Sequence, residues 1–246
     1  MITKKLLLQS IIKKYHLDIN EAVKWVIKDK CLSIDFMTPS TDVIGDIRCP
    51  DFELDDCKLA IYNTKKLLNL IGVCSADIVL EVEKTNKLST KLNISDQHYT
   101  LTYALSDPLL IGKVGTVEDT EWDIEYNLSE EEITNLIKAK SALAESENLM
   151  ITTDEFEGVN RLNFTFGDEE GHNNKVNYSI PIETHYPNLR VSFNANTTNN
   201  IFKANKPSLI KGKISLNSQG LMKLEFTDEY GVESTYFVIR NAQTIF

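Results

Sequence analysis

The chain has no stretch approaching the roughly 18 to 20 consecutive apolar residues of a bilayer crossing, so no helical membrane span is expected. Its opening, MITKKLLLQSIIKKYH, has leucines and lysines at helical spacing and no small-residue cleavage site, and is expected to belong to the fold. Cysteine is scarce. Cys31, Cys49, Cys57 and Cys74 all fall in the first third, without C-x-x-C spacing or neighbouring histidines, which fits reduced, buried thiols in a cytoplasmic protein and not a zinc site. The four histidines, His16, His98, His172 and His185, are scattered and form neither H-x-H nor H-E-x-x-H; structural or exposed roles are expected of them. No G-x-G-x-x-G, G-x-x-x-x-G-K-[ST] or G-x-S-x-G occurs, so neither a phosphate-cradling loop nor a nucleophile elbow is present. The acids Asp168, Glu169 and Glu170 lack the ligand spacing of an EF-hand and read as a solvated hairpin tip. Asp55-Asp56 and Asp35 with Asp42 read as solubilising charges on strand edges. No catalytic residue, metal ligand or cofactor is therefore expected, and the chain is not expected to be an enzyme.

A surplus of positive charge is also missing. The formal net charge of −10 and pI near 5.0 argue against a protein that coats DNA, because phosphate affinity comes from lysines and arginines that displace counterions. Any nucleic-acid contact must be local. The chain does have enough apolar residues, 42% of 246, to bury a substantial core in one large domain or in two of roughly 120 residues.

Four amphipathic segments stand out among strand-like runs. In 3–15, Leu7, Leu8, Ile11, Ile12 and Tyr15 share one helical face, while Gln9, Ser10, Lys13 and Lys14 lie opposite. In 64–73, Asn63 is placed to cap the helix, Leu67, Leu68, Leu70 and Ile71 form its buried side, and Lys65, Lys66 and Asn69 point away. In 129–143, Ser129 and Glu132 make a capping box and Glu130 and Glu131 suit the first turn. There Ile133, Leu136 and Ile137 face inward, Thr134, Asn135, Lys138 and Ser141 outward, and Lys140 falls toward the apolar side of an ideal wheel. The fourth, 196–206, is polar and anchored only by Ile201 and Phe202, with weak helix propensity.

Between them, alternation predicts strands over 24–28, 31–37, 42–48 and 54–62, then 77–84, 88–95 and 98–105. In the second half it predicts strands over 149–153, 160–166, 175–182 and 189–194, then 209–216, 221–226 and 234–239. Both halves read helix, strands, helix, strands, an α+β pattern of two domains, 1–107 and 122–246. The aperiodic stretch 108–121, with Leu109, Leu110, Ile111 and Val114, reads as a connector that must lie on something apolar or offer a docking surface.

Polar helix faces commonly carry lysine, so the helical lysines have a bland explanation as a solvated face. Their distribution favours more: ten of the 26 basic residues, Lys4, Lys5, Lys13, Lys14, Lys65, Lys66, Lys138, Lys140, Lys203 and Lys206, lie on or at the ends of these four short segments, while the acids lie mostly elsewhere. That arrangement points to helices turned toward nucleic acid on a scaffold otherwise repelled by it.

The stretches CKLAIYNTKKLLNLI (57–71), DPLLIGKVGTVEDTEW (107–122), SEEEITNLIKAKSAL (129–143) and GLMKLEFTDEYGVESTYFVI (220–239) resemble the sliding clamps, specifically the trimeric processivity factor of T4-type phages. The resemblance is one of architecture across nearly the whole length. It implies two processivity-clamp domains per chain, a homotrimeric ring of six domains, helices lining the hole, an outer layer of sheets, and pairing of edge strands between subunits. It implies non-specific contacts to encircled double-stranded DNA from Lys4, Lys5, Gln9, Lys13, Lys14, Lys65, Lys66, Asn69, Asn135, Lys138, Lys140, Asn199, Lys203 and Lys206. It also implies a pocket for the tails of a DNA polymerase and a clamp loader ATPase at Leu109, Leu110, Ile111 and Val114 with Phe237, Ile239 and Phe246, though packing of the connector onto the second domain is an equal reading of those residues. A link to the transcription machinery and a place in the cytoplasm of an infected bacterial host follow from the same resemblance. The competing expectation is a β-rich phage tail or baseplate protein with no role on DNA, which would have no reason to gather lysines on one set of helices.

Overall fold

The computed structural model describes residues 1–75, 77–118, 120–167, 174–183 and 189–241. The expected acidic tip at 168–170, His172, His185 and Phe246 lie outside the described residues. The chain is α+β, 21% helix and 48% strand. It divides into two units, Met1–Thr116 with Asp228–Ser234, and Val117–Thr227 with Thr235–Phe246. No described helix is long and apolar enough to cross a membrane.

In the first unit, β1 (Ile2–Lys4) leads into α1 (Lys5–His16), followed by β2 (Val23–Lys28), β3 (Cys31–Met37), β4 (Val43–Cys49) and β5 (Cys57–Ile61). Then come α2 (Thr64–Val73), β6 (Asp77–Thr85), β7 (Leu88–Ser95) and β8 (Thr100–Ala104). One sheet has the order β1-β6-β7-β8, and the remaining strands run β5-β2-β3-β4. β1 was not expected; it pairs antiparallel with β6, opposing Lys4 to Asp77. The alternating burial of β2, β3 and β4 puts Trp25, Ile34, Phe36 and Ile47 on one face, and α1 and α2 cover the core with Leu8, Ile11, Ile12, Tyr15, Leu67 and Ile71. Tyr15 meets Trp25 edge-on at 6.4 Å between ring centroids, and Trp25 meets Phe52 in the same way at 6.4 Å.

The second unit starts with β9 (Ile124–Leu128), an element the sequence pattern did not reveal, then α3 (Glu130–Ala142), β10 (Asn148–Phe156), β11 (Val159–Gly167) and β12 (Lys175–Pro181). β13 (Arg190–Asn194), α4 (Ala195–Asn205), β14 (Leu209–Leu216), β15 (Leu221–Asp228) and β16 (Glu233–Ile239) complete it. Its sheets run β12-β11-β10-β13 and β16-β15-β14-β9. The capping box on α3 is complete: Ser129 Oγ accepts from the Glu132 N–H and the Glu132 carboxylate accepts from the Ser129 N–H. α4 forms despite its poor propensity because Asn194 caps it and Ile201 and Phe202 are fully packed, Phe202 against Phe226 and Phe226 against Tyr236.

Candidate nucleic-acid interface

Within the first unit α1 and α2 run antiparallel. The Lys5 ammonium donates to the Gly72 and Cys74 carbonyls at 2.7 and 2.6 Å, joining the start of α1 to the end of α2. At the opposite end, Thr64 Oγ1 and the Lys65 N–H bond to Glu21, just beyond α1. Lys5 is thus half-buried, and its ammonium caps the end of α2.

Lys13, Lys65, Lys66 and Asn69 are exposed, as is Lys4 at the end of β1; Gln9 is half-buried. Lys65 and Lys66 occupy the first turn of α2, where the helix dipole disfavours a cation by about 0.3–1 kcal/mol at an exposed site. Asn63 accepts from the Lys66 N–H and holds that turn in place.

Lys14 departs from the wheel. Its side chain is 0% exposed and lies 3.4 Å from an equally buried Asp228, in the turn between β15 and β16 that belongs to the first unit. Asp228 also accepts from the Tyr230 and Val232 N–H groups. Burial holds the Lys14 ammonium below its ordinary pKa, with Asp228 opposing that shift. Lys14 is therefore part of the core, because a turn more than two hundred residues away in sequence covers the flank of α1 that the wheel left open.

In the second unit Lys138 and Lys203 are exposed, Lys206 is half-exposed, and Asn135 is half-buried with its Nδ2 3.4 Å from the Tyr178 hydroxyl. Lys140 is 3% exposed and curls back to donate to the Leu143 and Ala144 carbonyls at 3.3 and 2.7 Å, closing the end of its own helix. Desolvation lowers its pKa. Asn199 is buried as well. Lys140 and Asn199 thus drop out of the expected surface for the same reason as Lys14: a ligand cannot reach a side chain already enclosed by protein.

The residues expected to form a partner pocket are each placed by their own element. Asp107 caps a single 3-10 turn over Pro108–Leu110 that leaves Leu109 90% and Leu110 78% exposed. Ile111 and Val114 edge a groove of about 430 Å³ against Val23, Val26, Phe36 and Met37 on β2 and β3. Phe237 is half-buried on β16, with the Lys223 ammonium 5.9 Å from its ring centroid, and Ile239 is exposed. In the first unit, Asp35 stands directly across from Asp46 in the β3–β4 register. The hydrogen bond that the protonated Asp35 carboxyl donates to Asp46, partial burial and like charge raise the Asp35 pKa to about 6, with Arg48 opposing them. Sequence spacing could not reveal this pair, since it depends on the register.

No family model matches the chain, and no curated protein sequence matches it. Solved structures do. The chain is similar to PCNA from A. fulgidus, solved with the C-terminal region of FEN-1 bound, at 15% identity over 99% of this chain and 98% of that one, with a TM-score of 0.80. It is similar to PCNA from Entamoeba histolytica at 15% identity, 98% and 97% coverage and a TM-score of 0.76. A PCNA2-PCNA3 complex from Sulfolobus tokodaii gives 14% identity, 99% and 100% coverage and a TM-score of 0.77. The chain thus has the fold of the PCNA-type sliding clamps, with two clamp domains in one polypeptide.

Proposed function

We propose that this protein is a DNA polymerase processivity factor, a sliding clamp that encircles duplex DNA as a homotrimer and tethers a replicative polymerase, with 108–121 connecting its two domains. The observation that carries the reading is the pairing of the clamp fold with exposed lysines on the helices of an otherwise acidic chain: Lys13, Lys65 and Lys66 in one unit, Lys138 and Lys203 in the other. Such cations suit non-specific phosphate contact, and enclosure rather than affinity would keep the ring on DNA. Two domains per chain make a six-domain ring from three chains. Ring closure needs two different complementary surfaces on each protomer. β8 and β12 suit that role, each the outermost strand of its sheet with one edge left for pairing. A bacteriophage source, a clamp loader ATPase and coupling to transcription belong to the same reading through the resemblance to T4-type clamps. The exposed Leu109–Leu110 turn and the groove beside Ile111 and Val114 are the surfaces proposed for polymerase and loader tails.

Light scattering over a dilution series tests the assembly. The reading expects a species of about three times 27.9 kDa that dissociates only when dilute. A stable monomer or a large polydisperse particle would remove the ring.

A further inference from the structure

The two helix pairs are not electrically equivalent. α1 and α2 together hold five lysines, Lys5, Lys13, Lys14, Lys65 and Lys66, and no acid. α3 and α4 hold three lysines, Lys138, Lys140 and Lys203, and three glutamates, Glu130, Glu131 and Glu132, so their charges cancel. Counting Glu21, which accepts from the Lys65 N–H, and Asp228, which pairs with Lys14, against the first pair still leaves it three lysines in excess. Burial does not remove the contrast. Lys13, Lys65 and Lys66 remain exposed in the first unit without an acid on their helices, whereas in the second unit the exposed Lys138 shares α3 with the exposed Glu130 and Glu131, and α4 adds the single exposed lysine Lys203. Glu131, Asn135 and Lys138 are spaced four and three residues apart and form one stripe of α3, which is thereby of mixed sign.

We propose that the DNA backbone is held chiefly by the helices of the first unit, and that those of the second unit form a near-neutral lining. The proposal rests on the clamp reading. It makes the inner surface of a trimer alternate, three positive sectors between three neutral ones, so the duplex is drawn toward α1 and α2 of one or more protomers and meets little attraction between them. Glutamates in the first turn of α3 serve the helix dipole, yet α2 has lysines at the equivalent place, against the dipole. A requirement of the helix itself does not account for that inversion; a polyanion in front of α2 does.

The test compares variants that remove equal charge. Lys13→Gln/Lys66→Gln and Lys138→Gln/Lys203→Gln are measured, as full-length protein of unchanged solution mass, for binding to a short linear duplex over a series of salt concentrations. With a slope of about 0.9 per phosphate contact, the first variant should flatten the plot of log affinity against log salt by about 1 to 2, and the second by less than about 0.5. Glu130→Gln/Glu131→Gln should strengthen binding. Equal flattening by the two lysine variants, a larger effect of the second, or no salt-dependent binding by the unaltered protein would overturn the proposal. Linear duplex does not require encirclement, so failure of the ring to be retained on circular DNA would count against the clamp reading alone.

Discussion

Replacing Lys14 by methionine separates the structure from the helical wheel. The wheel treats Lys13 and Lys14 alike, as neighbours on an outer face; the structure leaves Lys13 exposed and buries Lys14 at 0% side-chain exposure against Asp228 at 1%. Removing one member of a buried pair strands the other charge and typically costs 3–5 kcal/mol. Asp228 keeps its two bonds from the Tyr230 and Val232 N–H groups, which places the expected loss at the lower end, about 3 kcal/mol. That is a large part of the roughly 5–15 kcal/mol available to a folded domain. Lys13→Met should change stability by less than about 0.5 kcal/mol. Adding Asp228→Asn to Lys14→Met should cost less than the two single changes together, by about 1 kcal/mol or more, since the pair acts as one unit. The assay is urea unfolding at a fixed protomer concentration, because assembly contributes to apparent stability. Equal losses for Lys13→Met and Lys14→Met, within about 0.5 kcal/mol, would refute the buried pair.

Other perturbations read different parts of the structure. Asp35 has a folded pKa near 6, above its ordinary 3.8, so the folded state holds its proton more tightly and stability should fall as pH rises from about 4 through 6. The full shift would correspond to about 3 kcal/mol, but Asp35 is exposed and screening reduces this to about 1. Asp35→Asn should accordingly stabilise the protein by about 1 kcal/mol at pH 7.5 and by almost nothing at pH 4, as thermal or urea unfolding at the two pH values will show. Gly45 lies opposite Phe36 in the β3–β4 register, and an added Cβ would stand 2.2 Å from the ring. Gly45→Ala should therefore cost about 1–3 kcal/mol by displacing a buried aromatic, read as a lower urea midpoint. Ser129→Ala removes half of the capping box and should cost about 1 kcal/mol, with a matching loss of helical circular dichroism on heating.

Local chemistry made part of this fold legible. Asn63 and the Ser129–Glu132 box announced α2 and α3 because a cap is satisfied within three residues. The strand alternation of β2 to β4 was equally local, as Trp25, Ile34 and Ile47 all point inward at period two. α4 was the weakest prediction because its asparagines and threonines disfavour helix; tertiary burial of Ile201 and Phe202 overrides them. β1 and β9 were missed because their identity depends on the strands they pair with, β6 and β14, far along the chain.

The candidate interface was legible to the same limit. A wheel assigns an angle but not what covers it: Lys65, Lys66, Lys13, Lys138 and Lys203 emerge exposed, while Asp228 covers Lys14 and Lys140 turns back onto its own helix end. Apolar residues in the connector announce a surface that needs a cover or a partner, but not its shape. A 3-10 turn capped by Asp107 presents Leu109 and Leu110 outward, with Ile111 and Val114 at the groove.

Enclosure of DNA is a topological property, and circular DNA reads it out. Protomers diluted until they separate would be mixed with nicked circular duplex, concentrated so that the ring assembles, and passed through a sizing column in salt high enough to screen lysine–phosphate contacts. A sliding clamp should travel with the circle and be released when one restriction cut makes the DNA linear. Protein that never travels with the circle, or stays on the linear duplex after cutting, would contradict a sliding clamp.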